Sequence, residues 1–181
     1  MANTNSNGAS LKNILKVPEI QKRLLFTFLI LVVVRFGAQI PIPGVSRDVF
    51  ASWFGNQSNG AMDLFDMMTG GSFSQMSVFA LSITPYINAS IIMNLLAFAI
   101  PALEEQQKEG EEGRKKLAQY TRYLTIILAL IQALGMSLSF GDLLIEKTPF
   151  TVFTVVLCIT AGTAFLMYLG EQITESGIGN G

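Results

Sequence analysis

Between Arg23 and Arg35 the chain runs through LLFTFLILVVV without a charged side chain, and three longer, predominantly apolar uncharged stretches follow at 67–103, 123–141 and 148–170. Apolar runs of this length decide the fold class. In hydrocarbon every backbone N–H and C=O needs a partner from within the chain, and a helix supplies it locally. About 20 residues suffice to cross. Hydrophobic residues make up 50% of the chain, which is close to a globular average, so their distribution carries the argument rather than their amount. The pattern predicts an all-α integral membrane protein with four transmembrane helices, over residues 20–41, 74–101, 119–139 and 149–170.

The connecting pieces have characters of their own. Residues 1–18 are polar up to Ser10 and then read LKNILKV, with Leu11, Ile14 and Leu15 on one helical face and Lys12 and Lys16 beside them. This predicts a short interfacial helix lying on the membrane, held there by the first span and ended by Pro18. Pro41-Ile42-Pro43-Gly44 breaks the first span. Arg35 lies about 9 Å before that break at helical rise, where it either snorkels outward or neutralises a carbonyl or carboxylate in a bundle. Residues 42–60 are expected as a polar loop with Trp53 as an interface anchor. Over 61–72, Met62, Phe65 and Met68 recur at helical spacing, Asp63 and Asp66 flank them, and Gly70 and Gly71 end the piece. It is far too short to span.

The second span is the unusual one. As a straight helix residues 76–100 would reach ~37 Å, enough to cross with tilt. Yet they hold Ser77, Ser82, Thr84, Asn88, Ser90 and Asn94, with Pro85 among them. Asparagine is costly in hydrocarbon unless it meets a partner or water. Ser77, Thr84 and Asn88 fall on one helical stripe, which should therefore face protein or an aqueous cavity. Gln132 is the corresponding buried polar group of the third span. Residues 102–118 are expected as a charged, solvated loop, 140–148 as a short turn, and 171–181 as a tail without capping structure.

Charge sets the expected orientation. Lys12, Lys16, Lys22 and Arg23 precede the first span, and Lys108, Arg114, Lys115, Lys116 and Arg122 follow the second. The opposite side carries only Arg47 and Lys147. By the positive-inside rule both basic segments, and both ends of the chain, are cytoplasmic.

Several chemistries find no residues here. The chain has no histidine and a single cysteine, Cys158, which removes Ser-His and Cys-His pairs, histidine zinc sites and an internal disulfide. A formal net charge of -1 offers no basic field for nucleic acid. Gly177, Gly179 and Gly181 imitate part of a nucleotide loop, but no strand precedes them and no P-loop lysine follows. No metal or cofactor is expected. A small four-span ion channel or transporter subunit would want an acidic residue or charge pair inside the spans, where only Arg35 is available. An intramembrane enzyme would need a nucleophile with its base, or paired carboxylates, and the spans hold neither.

Four stretches in order, RFGAQIPIPGV (35–45), ITPYINASIIMNLL (83–96), EGRKKLAQYTRY (112–123) and GEQITESGIGNG (170–181), resemble the bacterial SecY family, the channel subunit of the Sec translocon. Asn94 stands where the family usually has glutamine, and Ser176 where a basic residue is common. The resemblance implies a ten-helix fold in two halves of five, of which this chain matches the N-terminal part and stops before the fifth helix. It implies that 61–72 is the plug, with Met62, Phe65 and Met68 on it and Gly70 and Gly71 as its hinge. Ile83 and Ile87 would be two members of an aliphatic pore ring. Periodicity alone would call them ordinary packing. Asn88, Ile91, Asn94 and Gln132 are candidates for the lateral gate, with interhelical glue of about 0.6–2 kcal/mol each as the competing reading. The implied partners are SecE, SecG, the SecA motor or a ribosome, signal sequences and translocating polypeptides, the C-terminal half of the same fold, and the lipid of the bacterial inner membrane.

Overall fold

The structure, a computed structural model, describes residues 17–57, 60–139 and 148–179. The expected interfacial helix before Lys16 and nearly all of the 140–148 turn lie outside them. The described residues form helices joined by turns, without a strand among them. They divide into two compact units, Met1–Phe36 with Tyr168–Gly181, and Gly37–Met167.

In the first unit, helix α1 (Pro18–Gly37) begins at a proline, whose fixed φ suits the first turn, and carries Glu19 there and Arg35 in its last turn, both favourable to the helix dipole. Ile30 is its one buried residue, while Leu24, Leu25, Phe28 and Leu29 are exposed. Such a surface is stable against lipid and not against water. The Thr27 hydroxyl donates to the carbonyl of Arg23 and accepts the N–H of Ile178 at 3.1 Å. The chain around Gly177 is thereby tied to α1. Helix α7 (Pro149–Ser176) runs on through residues expected as a loose tail. Glu171, Gln172 and Glu175 tolerate helix well, and Thr174 returns its hydroxyl to the Gly170 carbonyl.

In the second unit, the expected loop 42–60 contains helix α2 (Arg47–Gln57). Phe50 is fully buried, with Trp53 and Phe54 packed beside it at helical spacing. Burial of these rings outweighs the weak propensity of a sequence rich in Gly, Asn and Ser. Helix α3 (Gly60–Met68) is the short amphipathic piece.

The largest departure concerns residues 69–83, whose second half was expected to be helical. The helix α4 occupies only Thr84–Ala99, and the preceding residues form a chain of tight turns. The stripe expected from Ser77 through Thr84 to Asn88 is therefore absent: Ser77 is buried in the turns, and Asn88 is exposed on the helix. Three causes are visible. Ile42 N–H donates to the Met76 carbonyl and Val78 N–H to the Ile40 carbonyl, so the backbone is committed to an isolated antiparallel bridge. Met76 and Ser82 adopt left-handed φ of 44° and 52°, incompatible with a continuous helix. Finally, Pro85 in the first turn is a natural helix start.

At its other end α4 meets Ile100, held extended (φ -109°, ψ 113°) by the following proline. The chain then turns by 102° into helix α5 (Pro101–Lys108). The expected loop 102–118 is thus mostly helical, since α6 (Glu111–Ser139) also begins inside it. Its Glu, Gln and Lys residues are good helix formers, and Glu104 pairs with Lys108 one turn on at 2.6 Å.

Helices α4 and α6 pack lengthwise. Their buried positions recur every four residues: Pro85, Ala89, Met93 and Ala97 on one, Thr121, Thr125, Ala129, Ala133 and Ser137 on the other. Small residues let two backbones approach closely, the usual basis of helix association in lipid. The hydroxyls of Thr121 and Thr125 are satisfied within α6 by the carbonyls of Leu117 and Thr121. By length and composition α6 and α7 can each cross a membrane, and α4 with α5 makes a third candidate as one broken span. Every 18-residue window of α1 holds at least three charged residues from Glu19, Lys22, Arg23 and Arg35.

Candidate functional site

The site is organised around the start of α4. Ile83 and Ile87 stand one turn apart on one face, 36% and 45% exposed. Behind them the backbone is fixed. Ser77 is fully buried and its hydroxyl accepts the N–H of Phe79. The ring of Phe79 lies against Gly37 and stacks on Phe165 at 6.3 Å. Gly162 of α7 sits directly on the Val78 carbonyl, where a methyl group would overlap it. These contacts form a post from which α4 departs.

Helix α3 packs on the turns that precede α4. Phe65 meets Phe73 edge-on at 5.1 Å, and Phe73 in turn meets Phe50 and Phe54 at 5.7 and 5.9 Å. Met62 and Phe65 are half-buried, as their spacing predicted. Met68, expected on the same face, is 78% exposed, and so are Leu64 and Met67 at 62% and 77%. The helix ends at Met68, and the chain turns inward at Thr69, which takes the buried position instead. Gly70 and Gly71 have φ of 66° and 79°, a conformation that side chains with a Cβ resist.

Sequence reasoning missed the groups that close this turn. Asp66 accepts the N–H of Ser74 on its carboxylate at 2.8 Å, and its carbonyl accepts both the Thr69 hydroxyl and the Gly71 N–H. The Thr69 hydroxyl also accepts the N–H of Phe73. An acid three residues before a Thr-Gly-Gly run was the available signal. The glycine pair is therefore latched rather than slack.

The candidate gate residues do not form one patch. Asn88 and Ile91 are exposed together on α4. Asn94 lies six residues after Asn88, about 120° around the helix. It lines a separate polar cavity of about 330 Å³ with Tyr86, Ser90, Gln107, Arg114 and Thr121. Gln132 is half-buried on α6, outside that cavity. Among the described residues no cluster of acidic or cysteine side chains could hold a metal.

A short helix and a string of turns before a late-starting, sharply broken helix, together with long apolar helices, define the class: an all-helical membrane fold. Two solved structures share it. One is described as Sec61 in the canine ribosome–channel complex of the endoplasmic reticulum, with a TM-score of 0.62 at 23% identity, covering 89% of this chain and 34% of that one. The other comes from work on the plug domain of SecY and its closed channel, with a TM-score of 0.59 at 22% identity, covering 88% and 33%.

The family model SecY matches residues 77–181. Proteins named protein translocase subunit SecY are 48% identical in Pseudomonas aeruginosa, 47% in Bacillus subtilis and 46% in Escherichia coli. These alignments cover 90%, 95% and 90% of this chain, and 37%, 41% and 38% of the relatives. The chain belongs to the SecY family. It spans well under half the length of those three relatives.

Proposed function

We propose that this chain forms part of a protein-conducting channel that moves unfolded polypeptides across the membrane and releases apolar segments sideways into lipid. The observation that carries this reading is the exposed Ile83–Ile87 pair at the head of α4, in a SecY-family chain that also carries the short helix α3. Aliphatic side chains give an ion no ligand and close by dewetting, yet yield around a peptide of any sequence. In this reading Ile83 and Ile87 belong to the constriction. Helix α3 with Met62, Phe65 and Met68 is the plug, hinged at Gly70 and Gly71. Asn88 and Ile91 of α4 line the lateral gate, with Asn94 and Gln132 in support.

Four spans cross the bilayer, the first being α1, whose charges lie toward its ends where they reach the interface. Both ends of the chain face the cytoplasm of a bacterium, in keeping with the basic residues around the first span and after the second. The partners are the remaining half of the SecY fold, SecE, SecG, and a ribosome or the SecA motor. The channel itself is not an enzyme.

The test is conductance. In planar bilayers, Ile83→Ser with Ile87→Ser in the complete protein should leak ions in the resting state, where the parent is closed. A resting conductance equal to the parent's would remove these residues from the constriction.

A further inference from the structure

The polar cavity beside α4 holds Asn94 but no other candidate gate residue. Ser90 and Asn94 follow Ile83 and Ile87 by seven residues each, two turns of helix, so all four share one face. The cavity, lined on α4 by Tyr86, Ser90, Met93, Asn94 and Ala97, thus meets the isoleucine face at Ser90 and Asn94, about 10 Å along α4 toward the α4–α5 bend.

Its lining has a consistent chemistry. Tyr86 and Ser90 offer hydroxyls, Asn94 and Gln107 amides that can both donate and accept, and Arg114 a guanidinium. No carboxylate is in the lining. Glu104 and Lys108 of the adjoining stretch pair with each other, and Glu105, Glu109, Glu111 and Glu112 do not reach the cavity. One cation among neutral amides and hydroxyls suits a carboxylate together with the peptide groups on either side of it. Its volume of about 330 Å³ accommodates one such side chain and its flanking backbone.

We infer that this cavity is a subsite for the acidic side chains of a polypeptide entering the channel, with Arg114 pairing with the carboxylate and Asn94 and Gln107 contacting the backbone. The inference rests on the channel reading above. Its site is open to water, so binding is weak and screened by salt, as passage of a moving chain requires.

The test uses the complete protein with a stalled translocating chain that carries one cysteine next to either Glu or Gln. Disulfide formation with Ser90→Cys is expected to be about threefold to fivefold greater for the Glu chain, the upper part of the range of an exposed ion pair. Adding Arg114→Ala should abolish the difference, Arg114→Lys should keep part of it, and 0.5 M salt, an ionic strength of roughly 4 Å screening length, should reduce it. Equal yields for Glu and Gln, or a preference that survives Arg114→Ala, would overturn the subsite. Ile87→Cys in parallel separates the two readings. Cross-linking there without a Glu preference at Ser90→Cys defeats the subsite alone. Failure at both positions defeats the channel reading and the subsite with it.

Discussion

Replacing Gly162 by alanine tests the post behind α4. The new methyl would overlap the carbonyl oxygen of Val78 and lie 2.7 Å from its Cγ1. The obstructing atom is backbone, and the N–H of the same residue is committed to the Ile40 carbonyl beside the Pro41–Ser77 bridge, so no side-chain rotation relieves it. Overpacking of this kind costs about 1–3 kcal/mol, and the upper end applies where backbone must move. Alanine also gains about 1 kcal/mol over glycine inside a helix. The net expectation is a loss of about 2 kcal/mol. Gly135 on α6 supplies the control, because a methyl there meets nothing within 4 Å. Gly135→Ala should be neutral or stabilising by up to about 1 kcal/mol. Unfolding of the detergent-solubilised protein by denaturant titration would measure both. If Gly162→Ala proved as stable as Gly135→Ala, the close approach of α7 to Val78, and with it the fixed post, would be refuted.

Other outcomes follow from single contacts. Asp66→Ala should cost about 1 kcal/mol and speed amide exchange at Ser74, whereas Asp66→Asn, which keeps an acceptor oxygen, should retain most of the protection; equal exchange in the two variants would count against the latch. Ser82→Gly should stabilise by up to about 1 kcal/mol, because a left-handed φ strains any residue with a Cβ, and a clear loss in thermal stability would contradict that backbone. Ala89→Leu, at a position with no exposure between α4 and α6, should destabilise by about 1–3 kcal/mol, while Leu95→Ala on the exposed side should change stability little; similar effects would contradict the packing.

Much of this architecture was legible because helix in lipid leaves few alternatives. The apolar runs located α1, α6 and α7, and Pro18 and Pro149 stand at helix starts. The short helix α3 was legible from Met62 and Phe65, though not its end, where Thr69 turns inward in place of Met68. Residues 69–83 were not legible. Their apolar pattern suits a helix, and what prevents one is the tertiary bridge to Ile40 and Ile42 together with the left-handed backbone at Met76 and Ser82. Gly, Asn and Ser around Trp53 suggest a loop where helix α2 forms, although Phe50 and Phe54 keep helical spacing. Balanced charge over 102–118 likewise suggests a solvated loop, whereas Glu, Gln and Lys are strong helix formers on a wetted surface. At the site, Ile83 and Ile87 stood out only through family resemblance, since two isoleucines a turn apart usually mean a core. Their exposure is what the structure adds. The separation of Asn94 from Asn88 follows from helix geometry once α4 is known to be continuous between them.

In the proposed channel the exposed isoleucine face of α4 lines the path of a translocating polypeptide. Cysteines at Ile83 and Ile87, with Leu25 and Phe28 of α1 as comparison positions, can be offered to a chain stalled in transit that carries a single cysteine. The account predicts disulfide cross-links at Ile83 and Ile87 and none at Leu25 or Phe28. Cross-links confined to the α1 positions would contradict it.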